Sequence, residues 1–147
     1  PRSLELQLMA VVRATKLDEC GDHLVIEGEF GSGRKMRAIT LENPTVGSYV
    51  AWFTDDGFTV DQLNVVLLGG TSPSVTFRID FGADASAPGT SLIVAGTVVT
   101  NTTTGDEITV FDNATIPAGS WVVLEVTAST GTGSDIADFI NVTLHGE

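Results

Sequence analysis

The sequence has little cysteine and little positive charge, and each shortage excludes a class of protein. Cys20 is the single cysteine among 147 residues, so no internal disulfide forms and the chain is not a disulfide-stapled module. Lys and Arg number 7 against 19 Asp and Glu, which gives a net charge of −12. Nucleic acid is therefore excluded as an expected partner, because phosphate binding needs cations. No apolar run approaches the roughly 20 residues of a membrane span, so we expect no membrane partner.

Catalytic and metal-binding motifs are missing as well. The two histidines, His23 and His145, adjoin no Gly-x-Ser-x-Gly elbow, and nucleophilic hydrolysis needs a nucleophile, a base and an orienting group. Cys20 lies close to His23 in sequence, but a structural zinc site needs four ligands. We therefore expect no enzyme activity, no metal and no cofactor.

Acidic loops leave one alternative to that expectation. Their oxygen ligands are of the kind that Ca²⁺ prefers, although none has EF-hand spacing. Asp and Asn are also favoured turn formers, because their side chains bond to nearby backbone, and we expect solvated turns. The segments are 55–57, 84–86, 106–107, 112–113 and 135–138.

The positive charges gather near the start of the chain. Six basic and six acidic residues precede Ala38, whereas Arg78 alone faces thirteen acids from Ala38 onward. A neutral segment that carries nearly all the cations is suited to docking on an acidic partner, where charge complementarity sets the register. The alternative is that these charged side chains only make the surface of a hairpin hydrophilic and have no docking role. The candidate attachment residues are Arg2, Arg13, Lys16, Arg34, Lys35 and Arg37.

What the chain does contain is period-two alternation, the pattern of strands with one buried face. Apolar residues alternate with polar ones over 74–82, 120–127 and 139–145, and Gly, Pro, Thr and Asn separate these runs. No long amphipathic helical pattern occurs. The sequence therefore predicts an all-β, antiparallel β-sandwich of the jelly-roll type. Its apolar positions are Val75, Phe77, Ile79 and Phe81, then Val122, Leu124 and Val126, then Ile140, Val142 and Leu144.

Two strand-like runs, 24–30 and 35–41, flank a glycine-containing turn at 31–34 and predict a β-hairpin. Asn43 and Pro44 then break the pattern. We place a domain boundary there, with an N-terminal strand and hairpin attachment module at 1–45 and the β-sandwich at 46–147.

Exposed aromatic residues are the candidates for an oligomer interface or for stacking of sugar rings. On the predicted strand, Trp121 and Val123 lie opposite the buried positions, and that face is too apolar for plain solvent. Trp52 is a second candidate, and Tyr49 is a helper. The alternative for Trp121 is packing beneath a loop. Asn-x-Ser/Thr triplets begin at Asn101, Asn113 and Asn141.

An ordered set of segments resembles β-sandwich domains in virion structural proteins of tailed bacteriophages. The segments are WFT at 52–54, GGTSPSVT at 69–76, APGT at 87–90, TNTTTG at 100–105, FDNATIPAGSW at 111–121 and NVTL at 141–144. They cover about two thirds of the chain and carry no catalytic signature. The resemblance implies a place on the virion exterior, on a head, tail or fibre.

Taken together, these expectations describe a non-enzymatic virion structural protein. A capsid decoration (cement) protein is favoured, because the chain is short and has no shaft-like segment. It would bind the major capsid protein or other virion proteins through the N-terminal module and associate with its own copies, with a homotrimer expected by analogy. The alternative is a tail or fibre component that binds a host receptor or surface glycan through exposed aromatics.

Overall fold

The computed structural model describes residues 11–17, 23–29 and 33–147, which form two antiparallel sheets. The seven-stranded sheet contains β1 (Val11–Leu17), β2 (His23–Glu29), β3 (Lys35–Glu42), β5 (Phe58–Leu68), β8 (Asp106–Ile108), β9 (Thr115–Ile116) and β11 (Phe139–Gly146). The four-stranded sheet contains β4 (Gly47–Thr54), β6 (Ser74–Gly82), β7 (Thr90–Val99) and β10 (Ser120–Thr130). The described residues include no helix, and hence none that could cross a membrane.

The strand orders are β1-β2-β3-β11-β5-β8 in the larger sheet, with β9 also paired to β5, and β4-β10-β6-β7 in the smaller one. The core lies between the sheets and contains all ten apolar positions that alternation predicts on β6, β10 and β11. Phe58, Leu63 and Leu92 are among the largest side chains that are fully buried there. The predicted all-β, antiparallel β-sandwich is therefore confirmed.

Strand β3 precedes the predicted domain boundary and yet joins the sheet on which the sandwich is built. It pairs with β11 along its whole length, from Glu42 opposite Phe139 to Lys35 opposite Gly146. Ile39 is 2% exposed and belongs to the core. Antiparallel pairing of β2 with β3 confirms the predicted hairpin, although residues 30–32 of its turn lie outside the described part. The division at 45/46 stays a prediction, and the sheet is continuous across it.

A β-bulge on β4 decides which aromatic side chains reach the surface. The register against β10 shifts between Val122 opposite Trp52 and Val123 opposite Val50, which leaves Ala51 as an extra residue. A bulge of this kind reverses the faces of the residues that follow it. Val50 is exposed, Trp52 is buried and Phe53 is exposed again. Simple alternation from Val50 would have placed Trp52 outside and Phe53 inside.

Candidate functional site

Three exposed apolar side chains lie together on the outer face of the four-stranded sheet, and we call them the aromatic face. Val50 is 43% exposed, Phe53 41% and Trp121 37%. Phe53 and Trp121 are register partners across β4 and β10, and their ring centroids lie 4.9 Å apart with the planes inclined at 56°. This tilted geometry is favourable for two aromatic quadrupoles. The predicted outward position of Trp121 is confirmed.

The loop at 83–89 borders this face on the side of β6. Gly82 is the register partner of Trp121 on β6. A Cβ atom added to Gly82 would lie 3.1 Å from the Pro88 Cα and from the Gly89 nitrogen. The loop backbone therefore folds back over Gly82, and a side chain there would require this backbone to shift by a few tenths of an ångström. Trp121 therefore has Phe53 of β4 on one side, and on its other side it has β6 and the loop at 83–89.

Val123 occupies the outer side of β10, as predicted, but it is only 3% exposed. It lies outside the core between the sheets and is opposite Val50 on β4 and Asp80 on β6. Trp121 and Glu125, two residues away on the same side of the strand, flank it along β10. The expectation that Val123 offers an exposed contact is therefore wrong, because its neighbours already cover it.

Trp52 and Tyr49 belong to the inner side of β4. Trp52 is 6% exposed and packs in the core. The expectation that it offers a stacking surface is therefore wrong, because the bulge at Ala51 turns its side chain inward. Its Nε1 atom has no hydrogen-bond acceptor among the described residues. Tyr49 packs partly against the core, and its hydroxyl donates to the Thr45 carbonyl oxygen at 2.8 Å.

A charged cluster continues the outer face beyond Val123. The Arg78 Nε group donates a hydrogen bond to the Glu125 carboxylate at 2.7 Å and forms an ion pair with the Asp80 carboxylate at 2.8 Å. The Ser91 hydroxyl donates to the other Asp80 oxygen at 2.5 Å. The Asp80 side chain is 7% exposed, so this carboxylate depends on the Ser91 hydrogen bond and on the positive charge of Arg78. The polar cluster sets one border of the aromatic face.

The structure gives partners to the candidate attachment cations that it describes. The Arg34 guanidinium forms a two-bond ion pair with Asp61, which raises the pKa of Arg34 above its ordinary value. Lys35 Nζ donates to the Gly57 carbonyl oxygen at 3.3 Å. Arg37 lies over the Phe58 ring, 5.6 Å from its centroid. These three side chains therefore interact within the chain at one end of the sandwich.

The other three attachment candidates lie partly or wholly outside the described part of the chain. Arg13 and Lys16 lie on β1, and their side chains are outside the described part, as is the whole of Arg2. The attachment role of the six cations stays a prediction. Cys20 is also outside the described residues, so its proximity to His23 is not tested.

Of the acidic segments, 84–86 forms a turn, whereas 106–107 lies on strand β8 and not in a loop as expected. The Asp84 carboxylate accepts hydrogen bonds from the Ser86 hydroxyl at 2.7 Å and from the Ser86 backbone N–H at 2.9 Å. These bonds lower the pKa of Asp84 below its ordinary value. Asp135 accepts a bond from the Thr71 hydroxyl at 2.5 Å. Across residues 11–17, 23–29 and 33–147, no three His, Cys, Asp or Glu side chains gather to hold a metal ion.

A pocket of about 470 Å³ lies on the outer face of the other, seven-stranded sheet. Three neighbouring strands form its floor, and the loop at 100–105 forms a wall. The sequence pattern does not predict this pocket, although Asn101 and Asn141 stand out in it as Asn-x-Thr triplet positions. The lining residues are Thr40, Val66, Leu67, Leu68, Thr102, Thr103, Phe139 and Asn141.

Comparisons with known proteins give no family assignment. No family model and no curated protein matches the chain. Among solved structures, a DUF1255 protein of unknown function from Acinetobacter sp. ADP1 has a TM-score of 0.39 and 11% identity, and the alignment covers 94% of each chain. The CBM32 of AlyQ, in complex with 4,5-unsaturated mannuronic acid, has a TM-score of 0.43 and 19% identity over 91% of this chain and 92% of its own. At these scores neither neighbour supports an inference about ligand or activity.

Proposed function

We propose that this chain is a non-enzymatic structural protein of the exterior of a tailed-phage virion, most directly a capsid decoration protein that associates with its own copies. The resemblance of residues 52–144 supports the virion assignment. The aromatic face of Val50, Phe53 and Trp121 is the observation that supports association. A structural protein of this kind acts through binding energy and needs no reacting group.

The apolar composition of the aromatic face favours burial against a neighbour. Removing apolar surface from water contributes about 25 cal/mol per Å², and Trp and Phe are large contributors at the centres of interfaces. Together with Val50, these two rings form a contiguous patch rather than scattered exposed residues. The patch therefore has the chemistry of an interface core.

The charge distribution agrees with this use of the face. Two copies with a net charge of −12 each repel one another, so contact between copies is favourable only where acidic side chains are absent or paired. No residue of β4 is charged. On the neighbouring strands, Asp80 and Glu125 are paired with Arg78. The exposed Asp55 and Asp84 lie in loops at the edge of the face. The aromatic face is thus a surface that two acidic copies can share.

Attachment to the shell is assigned to the N-terminal strands. Arg34, Lys35 and Arg37 have partners within the chain, so an acidic partner that binds them competes with these contacts. On the shell, many copies that bind the assembled state raise its stability by mass action, because they do not bind the disassembled state.

Sedimentation velocity tests association through the aromatic face. We expect the wild-type chain to form an oligomer in solution and a Phe53→Ser, Trp121→Ser double variant to sediment as a monomer. Val110→Ser is the matched control, because Val110 is 83% exposed and lies outside the face, and it should sediment as the wild type does. A wild-type chain that stays monomeric at every accessible concentration contradicts this part of the proposal.

A second candidate is a tail or fibre component that binds a receptor glycan on the same face. The specific observation is that the half-exposed Arg78 guanidinium lies on the same outer face as the exposed Trp121, four residues along the strand pair. An exposed indole and a guanidinium on one face suit a sugar that stacks on the ring and is hydrogen-bonded at its hydroxyl groups. Quenching or a blue shift of Trp121 fluorescence on glycan titration, in a monomeric chain, would support this candidate over the first.

A further inference from the structure

We propose that the pocket on the outer face of the seven-stranded sheet binds an uncharged saccharide. This site is separate from the aromatic face, which lies on the other sheet, and does not rest on the proposed virion role. A pocket of about 470 Å³ falls within the range of roughly 300–1,000 Å³ that small-molecule sites occupy. Its ligand class follows from charge, hydrogen bonding and shape.

The charge of the lining excludes ionic ligands. All eight lining residues are uncharged, although the chain carries 19 acids. An anion would enter an uncharged pocket against the field of the acidic chain. A cation would find no carboxylate there to replace its hydration. The pocket therefore suits a neutral molecule.

A chain of hydrogen bonds on neighbouring strands ends at the pocket. The Thr143 hydroxyl donates to the Asn141 side-chain oxygen at 2.9 Å, and the Asn141 amide donates to the Thr40 hydroxyl oxygen at 2.8 Å. The Thr40 hydroxyl accepts one bond and keeps its own O–H for a further acceptor. Asn141 likewise keeps one N–H and one lone pair. Thr40 and Asn141 on the pocket floor thus keep the capacity to donate two hydrogen bonds and to accept one, which suits a ligand with hydroxyl groups.

Apolar surface completes the match with a sugar. The Phe139 ring and the side chains of Val66 and Leu68 line the same pocket, and Leu68 is 62% exposed. The C–H face of a pyranose packs on such a surface while its hydroxyl groups reach polar residues at the edge. A purely apolar ligand would leave the Asn141 and Thr40 groups unpaired, at a cost in binding free energy.

The pocket wall is formed before any ligand arrives. The Asn101 side-chain oxygen accepts from the Thr103 and Thr104 backbone N–H groups at 3.0 and 3.1 Å. Its amide donates to the Gly105 carbonyl oxygen at 3.0 Å. The Asn101 carbonyl oxygen in turn accepts from the Leu67 N–H at 2.9 Å. A loop fixed in this way loses little conformational entropy when a ligand binds.

The test is a ¹H–¹⁵N NMR titration of the whole chain with glucose, galactose, mannose and N-acetylglucosamine, and with glucuronate as the charged counterpart. We expect at least one neutral sugar to shift the Asn141 side-chain amide signal together with backbone signals of Thr102 and Thr103. Glucuronate should bind more weakly. Spectra in which no sugar shifts these signals, or in which shifts cluster at Trp121, overturn the proposal, as does glucuronate that binds as tightly as the neutral sugars.

Thr40→Val tests the hydrogen-bond chain, because it removes both the terminal donor and the acceptor of the Asn141 amide and keeps the shape and strand propensity of the residue. Affinity should fall roughly threefold to tenfold, the range expected for one hydrogen bond. Thr59→Val is the matched control on β5 outside the pocket and should bind as the wild type does. Equal affinity for both variants and the wild type contradicts the assigned floor. The Phe53→Ser, Trp121→Ser variant should retain saccharide binding, and loss of binding there would place the ligand on the aromatic face instead.

Discussion

Trp121 contacts Phe53 across the β4–β10 pair, with ring centroids 4.9 Å apart and planes inclined at 56°. The two rings meet on the outer face only because a bulge at Ala51 turns Trp52 inward and Phe53 outward. One extra residue in an edge strand therefore creates the aromatic face and also gives the core its tryptophan. The two tryptophans of the chain have opposite roles as a result.

Replacing each tryptophan by alanine should separate those roles. Trp52→Ala leaves a cavity between the sheets and should lower the free energy of unfolding by about 3–5 kcal/mol. Trp121→Ala removes a partly exposed ring and its contact with Phe53, and should cost about 1 kcal/mol. Urea denaturation followed by circular dichroism measures both. A larger loss for Trp121→Ala than for Trp52→Ala would contradict the burial assigned here.

The Arg78 cluster predicts unequal effects for its members. Arg78→Met leaves the buried Asp80 carboxylate without its cation and should lower the free energy of unfolding by about 1–3 kcal/mol. This is less than for a fully buried pair, because water partly screens the half-exposed Arg78. Glu125→Gln should cost less than 1 kcal/mol, since the Glu125 side chain is 31% exposed. Denaturant midpoints at neutral pH test this order. Equal losses for the two variants would show that Asp80 does not depend on Arg78.

Gly105 in the pocket wall and Gly119 elsewhere in the chain form a matched pair for testing how closely the wall packs on β5. Both have positive φ, 74° and 78°, so alanine at either position costs about 1 kcal/mol of backbone strain. A Cβ atom at Gly105 would also lie 2.9 Å from the Val65 carbonyl oxygen, whereas one at Gly119 would meet nothing within 4 Å. Gly105→Ala should therefore be the more destabilising by about 1–2 kcal/mol. Thermal unfolding of both variants measures the difference, and equal losses would contradict the close approach.

Ser86 should control the ionisation of Asp84. Its hydroxyl and backbone N–H lower the pKa of Asp84, so Ser86→Ala should raise that pKa part of the way towards the ordinary value of 3.8. Because the pKa is lowered by folding, the stabilisation is complete above the ordinary pKa and is lost as the pH falls through the folded-state pKa. An NMR titration of the Asp84 carboxyl carbon measures the shift. Ser134→Ala should leave it unchanged, and an unchanged value in Ser86→Ala would contradict the assignment.

Local patterns were enough to predict the strands but not all of their faces. Alternation placed the inner residues of β6, β10 and β11 correctly, because each run keeps period two through its core positions. The candidate role of Trp52 as an exposed aromatic was wrong, since the bulge that buries it is set by cross-strand register and leaves no mark in the sequence of β4 alone. Alternation also missed the burial of Val123, which depends on Val50 and Asp80 from strands distant in sequence.

The pocket shows a second limit of sequence reasoning. Thr40 and Asn141 are 101 positions apart and meet only because β3 pairs with β11. The two Asn-x-Thr triplets, at 101–103 and 141–143, can be read from the sequence. Nothing local indicates that the first triplet forms a wall and the second a floor. Long-range pairing brings them together.

The proposed decoration role is tested most directly by cryo-electron microscopy of tailed-phage particles in which density for this chain is sought. The account predicts density on the capsid lattice, with Val50, Phe53 and Trp121 against a neighbouring copy and residues 1–45 nearest the shell. Density at a tail tip or fibre end, with the aromatic face open to solvent, would contradict the decoration role and support the receptor-binding alternative.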